Sequence, residues 1–105
     1  SMAKLPTKDE IMEAFKEVLD PELRLSIVDL GLIYDVDITD DGNVTVTMTL
    51  TTPGCPLNEY LPAQVDEAVS RLDGVRHVDV NLVWDPPWNP DMMSDEAKMA
   101  LGWFR

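Results

Sequence analysis

Residues 44–51 read Val-Thr-Val-Thr-Met-Thr-Leu-Thr, a two-residue alternation that fits a β-strand and no helix. Val44, Val46, Met48 and Leu50 are predicted to face a core. Thr45, Thr47, Thr49 and Thr51 then line the other side, where β-branched residues suit a partly solvated sheet surface. Asp40-Asp41-Gly42-Asn43 supplies turn chemistry just upstream, because Gly42 accepts positive φ without a steric penalty. Before that turn, Leu32, Tyr34, Val36 and Ile38 alternate in the same way, so the two runs are expected to form a hairpin.

Helical signals flank this hairpin. Thr7 and Glu10 have the spacing of a capping box, and Ile11, Phe15, Val18 and Leu19 repeat at i, i+4, i+7 and i+8. Pro21 biases Asp20 out of the helical region, so this helix is predicted to end near Leu19. A second stripe runs from Leu57 through Leu61, Val65, Ala68, Val69 and Leu72, with Gly74 placed as its stop. Val78, Val80, Leu82 and Trp84 then alternate with His77, Asp79 and Asn81 as a third strand, which the prolines of Asp85–Pro90 terminate. Ser94 can cap a last helix that Gly102 closes. The expected fold is α+β, a two-layer domain over residues 3–105 in the order α-β-β-α-β-α, with helices packed on one face of a small mixed three-stranded sheet.

Composition narrows the function. The 105 residues carry 20 acidic and 8 basic side chains, a formal net charge of -12. Such a chain repels phosphate backbones and anionic bilayers, which argues against nucleic acid and membranes as partners. No apolar run is long enough for a signal peptide or a membrane span, and a cytoplasmic location is expected. One cysteine permits no intrachain disulfide.

That cysteine, Cys55, lies in Thr51-Thr52-Pro53-Gly54-Cys55-Pro56, where a predicted strand gives way to a predicted helix. Helix-opening N–H groups favour a thiolate there, suited to nucleophilic or metal-binding chemistry. A closed zinc site or an iron–sulfur cluster usually takes four protein donors, mostly Cys and His, and this chain has one of each. A soft metal must therefore be shared, completed by a partner, or held in transit. His77, beside Arg76, reads as a surface histidine. No Ser-His-Asp or phosphate-loop signature is present, and no base is visible beside Cys55, so an enzyme is not expected.

Two other clusters stand out. Asp20-Pro21-Glu22 sets carboxylates around a proline at a helix end, either as an Asx-type turn or as oxygen donors to a metal or partner. Asp29, in an apolar setting, calls for loop N–H groups or Arg24. Trp84, Pro86, Pro87 and Trp88 either frame a hydrophobic pocket or cover the end of the sheet. Met92, Met93 and Met99, with Trp103 and Phe104, are expected to pack the last helix or an oligomer contact.

Asp20-Pro21-Glu22, Ser26–Tyr34, Met48–Pro56 and Leu82–Trp88, in that order, resemble the metal–sulfur cluster assembly factor family, in particular its SufT-like bacterial members. The resemblance spans nearly the whole chain. It implies a role in maturing iron–sulfur proteins, with Cys55 as the cluster-contacting residue and Asp20 and Glu22 as an acidic pair beside it. A transient iron–sulfur cluster is implied, with no tightly bound cofactor in one chain. The partners implied are assembly scaffold or carrier proteins and client apoproteins, and a homodimer is expected. PaaD-like relatives carry a cysteine-rich, zinc-binding tail that has no counterpart before Arg105, which sets the chain apart from that subtype. With no nucleotide-binding loop, any ATPase is a separate partner. The alternative is an adaptor without metal chemistry that grips clients or carriers through its acidic surface and Trp84 to Trp88.

Overall fold

The structure, a computed structural model, describes residues 4–53 and 57–103. Helix α1 spans Lys8–Phe15 and opens on the expected capping box. Thr7 N–H donates to Glu10 Oε1 at 2.9 Å, and Glu10 N–H donates to Thr7 Oγ1 at 3.1 Å. The helix stops earlier than predicted. After Phe15 the chain tightens into three-residue turns, Glu17 N–H to Ala14 O and Val18 N–H to Phe15 O, and Leu19 leaves to bridge Ser26. Asp20 N–H donates to Leu25 O at 2.9 Å and Ile27 N–H to Val18 O at 3.0 Å, so residues 18–27 form a small hairpin-like excursion. Its tip turns through Arg24 at φ 58°. Backbone pairing across this excursion thus overrides the helical period at Leu19, which is exposed, while Val18 stays buried.

Strands β1 (Ile33–Ile38), β2 (Asn43–Met48) and β3 (His77–Leu82) make one mixed sheet in the order β1-β2-β3. β1 and β2 are antiparallel, β2 and β3 parallel, and helix α2 (Leu57–Ser70) makes the crossover. A parallel pair needs such a connection, because a tight turn cannot return the chain to the same end. Val44, Val46 and Met48 are fully buried, as the alternation predicts. They join Leu61, Val65 and Val69 of α2, spaced at i, i+4 and i+8, and Ile11 and Phe15 of α1 in one hydrophobic cluster.

Three details depart from the sequence pattern. The β1–β2 register shifts between Ile33 and Asp35, a bulge that leaves Tyr34 outside the ladder. Thr49, expected on a partly solvated face, is completely buried, and its N–H donates to Leu32 O at 2.9 Å. β3 ends at Leu82, so Trp84 lies beyond the strand and is exposed. A short 3-10 turn at Pro90–Met92, capped by Asn89, precedes helix α3 (Asp95–Ala100), whose N-terminus is closed by Ser94 Oγ accepting from Ala97 N–H. Met93 and Ala97 carry this C-terminal segment into the common core. Among the described residues no helix is long and apolar enough to cross a membrane.

Candidate functional site

The topology gathers three connections at one end of the sheet. β1 begins there, and β2 and β3 both end there, with Ile33 paired to Met48 and Met48 to Leu82. Beyond this row the ladder continues irregularly through Thr49 N–H to Leu32 O and Val83 N–H to Met48 O. The carboxyl ends of parallel strands joined by a crossover helix are a recurrent ligand position in open sheets. Loop 26–32, the exit from β2 through Thr51 and Pro53, and segment 83–94 therefore meet at this end of the sheet.

Loop 26–32 is a closed unit. Ser26 Oγ accepts from Asp29 N–H at 3.0 Å, and Leu30, Gly31 and Leu32 donate to the carbonyls of Ser26, Val28 and Ile27. The described bonds of Asp29 run through its main chain, not through Arg24: its carbonyl accepts from Ser94 N–H at 2.8 Å. Gly31 sits at φ 76°, and a Cβ there would meet the Met92 carbonyl oxygen at 2.3 Å. Segment 83–94 thus lies against the loop without room for a side chain.

Two aromatic side chains hold that contact. Trp88, half-buried against the core, donates its indole N–H to Leu30 O at 2.6 Å. Tyr34, re-aimed by the bulge, donates its hydroxyl to Pro86 O at 2.8 Å and reaches Met92 Sδ at 3.5 Å. Burial raises the Tyr34 pKa above the ordinary phenol value, with bonding to Thr49 opposing the shift. Trp88 thus covers the sheet end, whereas Trp84 keeps 39% of its surface exposed. The sequence pattern put Tyr34 on one strand face with Leu32, Val36 and Ile38, which the bulge overturns, and placed Ser26 only within a family motif, so neither was singled out for the site. The Ser26-x-x-Asp29 spacing, a capping-type signature, was the available signal for the loop; the bulge at Tyr34 has none.

Asp20 and Glu22 are treated differently by the fold. Asp20 is 5% exposed, and its Oδ1 accepts from Glu22 N–H at 2.8 Å and Leu23 N–H at 3.0 Å. This is an Asx-type turn that organises the tip of the 18–27 excursion. Glu22 is exposed. Among the described residues no group of three or more His, Cys, Asp or Glu side chains is placed to hold a metal ion. His77 is a surface residue, 3.2 Å from Asp79 Oδ1. Gly54, Cys55 and Pro56 lie outside the described residues, as does Phe104. On either side of the cysteine turn, Thr51 is half-buried, Thr52 and Pro53 are exposed, and α2 opens at Leu57.

Comparison with known proteins gives a consistent answer. The family described as "Iron-sulfur cluster assembly protein" matches residues 8–82. The chain is 50% identical over 95 residues to the Fe-S protein maturation auxiliary factor YitW of Bacillus subtilis (strain 168), covering 90% of this chain and 93% of that protein. It is 48% identical over 85 residues to the Fe-S protein maturation auxiliary factor SufT of Staphylococcus aureus (strain USA300), covering 81% and 97%. Among solved structures, a conserved hypothetical protein from Thermotoga maritima superposes with a TM-score of 0.83 at 46% identity, over 96% of this chain and 99% of that one. The order of motifs, the three-stranded mixed sheet and these matches agree: the chain belongs to the iron–sulfur cluster assembly protein family.

Proposed function

We propose that this protein is a non-enzymatic maturation factor that takes up iron–sulfur units as cargo on the Cys55 thiolate and passes them to client apoproteins. The supporting observation is the position of the cysteine turn in the chain, in the connection between the end of β2 and the start of α2. A thiol preceding a helix is biased toward thiolate, the form that binds iron. One Cys and one His fall short of a four-donor site, so the remaining ligands come from a second copy, a carrier or the client, and the cargo is held in transit. The names of the two maturation factors support the same role. The working form is a cytoplasmic homodimer that meets separate scaffold or carrier proteins.

The test is complementation in cells lacking the native gene. Wild-type chain restores the activity of client iron–sulfur enzymes, and Cys55→Ser does not. Full restoration by Cys55→Ser would remove the thiol from the mechanism. Anaerobic reconstitution with iron and sulfide, followed by absorbance and mass measurement, then reports the cargo and the number of subunits sharing it.

An adaptor reading draws on one observation, the exposure of Trp84 on a segment that Trp88 and Tyr34 anchor. A fixed, exposed aromatic side chain is a common partner contact. Pull-down with Cys55→Ser and Trp84→Ala separates the readings, because the adaptor loses partners only through the tryptophan.

A further inference from the structure

β1 is an edge strand whose outer side pairs with no strand among the described residues. Its backbone polarity follows from β2. Gly42 and Met48 accept from Arg76 and Val83, on the β3 side, at 2.8 Å each. Bonding alternates along a strand, so Thr45 and Thr47 of β2 bond the other way, to their partners Asp37 and Asp35 of β1. Val36 and Ile38 therefore turn their N–H and C=O groups toward the free edge.

A cleft of about 160 Å³ opens beside this edge, lined by Lys8 and Met12 of α1 and by Ile33, Tyr34, Asp35 and Val36 of β1. It lies on the core side of the strand, where Val36 is buried and Met12 and Ile33 pack against the cluster. The opposite side is acidic. Asp35 and Asp37 are exposed, and Asp37, Thr45 and Asp79 form one cross-sheet row. A strand added to β1 thus meets carboxylates on one side and, between them, an apolar cleft on the other.

This pattern selects an occupant. A second copy pairing β1 with β1 antiparallel about Val36 sets Asp35 opposite Asp37 twice, and like charges directly opposite destabilise a sheet. The net charge of -12 adds to that repulsion. A strand reading basic, apolar, basic places cations against Asp35 and Asp37 and its apolar side chain toward Met12 and Ile33. We infer that the outer edge of β1 is a docking site for an extended segment of a partner protein with alternating basic and apolar residues, which adds as a fourth strand. Backbone bonds at Val36 and Ile38 supply attraction, and the carboxylate–cleft alternation supplies selectivity.

The docking site is independent of the thiol chemistry. Its test is fluorescence anisotropy of the full chain with a labelled peptide of alternating lysine and valine. Two controls replace the lysines by glutamate and the valines by glycine. The lysine–valine peptide binds, and both controls bind at least about tenfold more weakly, the scale of one to two cross-strand contacts. Asp35→Asn with Asp37→Asn lowers affinity by a similar factor of about ten, while the charge-matched pair Asp91→Asn with Glu96→Gln changes it less than about twofold. Equal losses in both double variants would show bulk charge attraction and overturn the docking site, as would no binding, or sedimentation showing β1-dependent self-association. Cys55→Ser binds the peptide like wild type. Failure of the peptide assay and failure of complementation are therefore separate results.

Discussion

The indole N–H of Trp88 ends on the carbonyl oxygen of Leu30, 2.6 Å away and 58 positions apart in the chain. This bond ties the proline-rich segment after β3 to the loop before β1, at the end of the sheet where β2 ends. Trp88→Phe keeps most of the ring packing and removes the donor. It is expected to lower unfolding free energy by about 1 to 2 kcal/mol, the cost of leaving a partly buried carbonyl unpaired. Urea denaturation with an unchanged m-value checks it.

The same contact forbids a side chain at Gly31. Gly31→Ala forces a Cβ against the Met92 carbonyl and places alanine at φ 76°, so both sterics and backbone oppose it. Gly102, at φ 72°, has open space around its Cβ position. Gly102→Ala is therefore expected to cost about 1 kcal/mol from backbone alone, and Gly31→Ala clearly more, by thermal or urea unfolding of the two variants side by side.

What the sequence revealed and what it did not divide along a physical line. The β2 alternation, the α2 stripe and the Thr7 and Ser94 caps are local, and each was legible from its own few residues; Gly74 takes the expected left-handed φ of 88°, but α2 already ends at Ser70. The end of α1 was not, because the bridge between Leu19 and Ser26 competes with the helical period and depends on a turn at Arg24 that no periodicity announces. Thr49 reads as a surface threonine and is buried because its neighbourhood is closed by tertiary contact. The site showed the same division. Asp20 was visible as a turn candidate, whereas the clamp by Tyr34 needs a bulge that is a property of strand pairing. Cys55 lies outside the described residues, and its chemistry is a proposal drawn from its sequence neighbours.

The capping box of α1 gives a pH prediction. Bonds from the Thr7 main chain and then its side chain hold the Glu10 carboxyl below its ordinary pKa. A folded-state value below the unfolded one stabilises the fold above the unfolded pKa, and this contribution disappears as pH falls through the folded value. Wild type is thus expected to lose more stability than Glu10→Gln on acidification from neutral pH to below the carboxylate range. The readout is the difference between the two urea midpoints as a function of pH. Thr7→Ala, which removes the cap itself, costs about 1 kcal/mol at neutral pH.

Asp20 and Glu22 allow turn-building and cargo chemistry to be told apart, because the fold uses one carboxylate and leaves the other exposed. Asp20→Asn retains an oxygen that accepts from the N–H groups of Glu22 and Leu23, and is expected to fold like wild type. Asp20→Ala leaves both donors without their acceptor and is expected to lose about 1.5 to 3 kcal/mol, the range for hydrogen bonds to a charged group. Glu22→Gln touches no described contact and is expected to stay within about 0.5 kcal/mol of wild type. Client-enzyme activation in complemented cells then reads chemistry without a folding confound. If Asp20 serves the turn alone, Asp20→Asn activates clients normally, and Asp20→Ala fails only in proportion to its loss of folded protein. A stable Asp20→Asn that fails to activate clients would place the Asp20 carboxylate in cargo handling. For Glu22 a stable but inactive Glu22→Gln would do the same, since a merely solvated carboxylate tolerates the exchange.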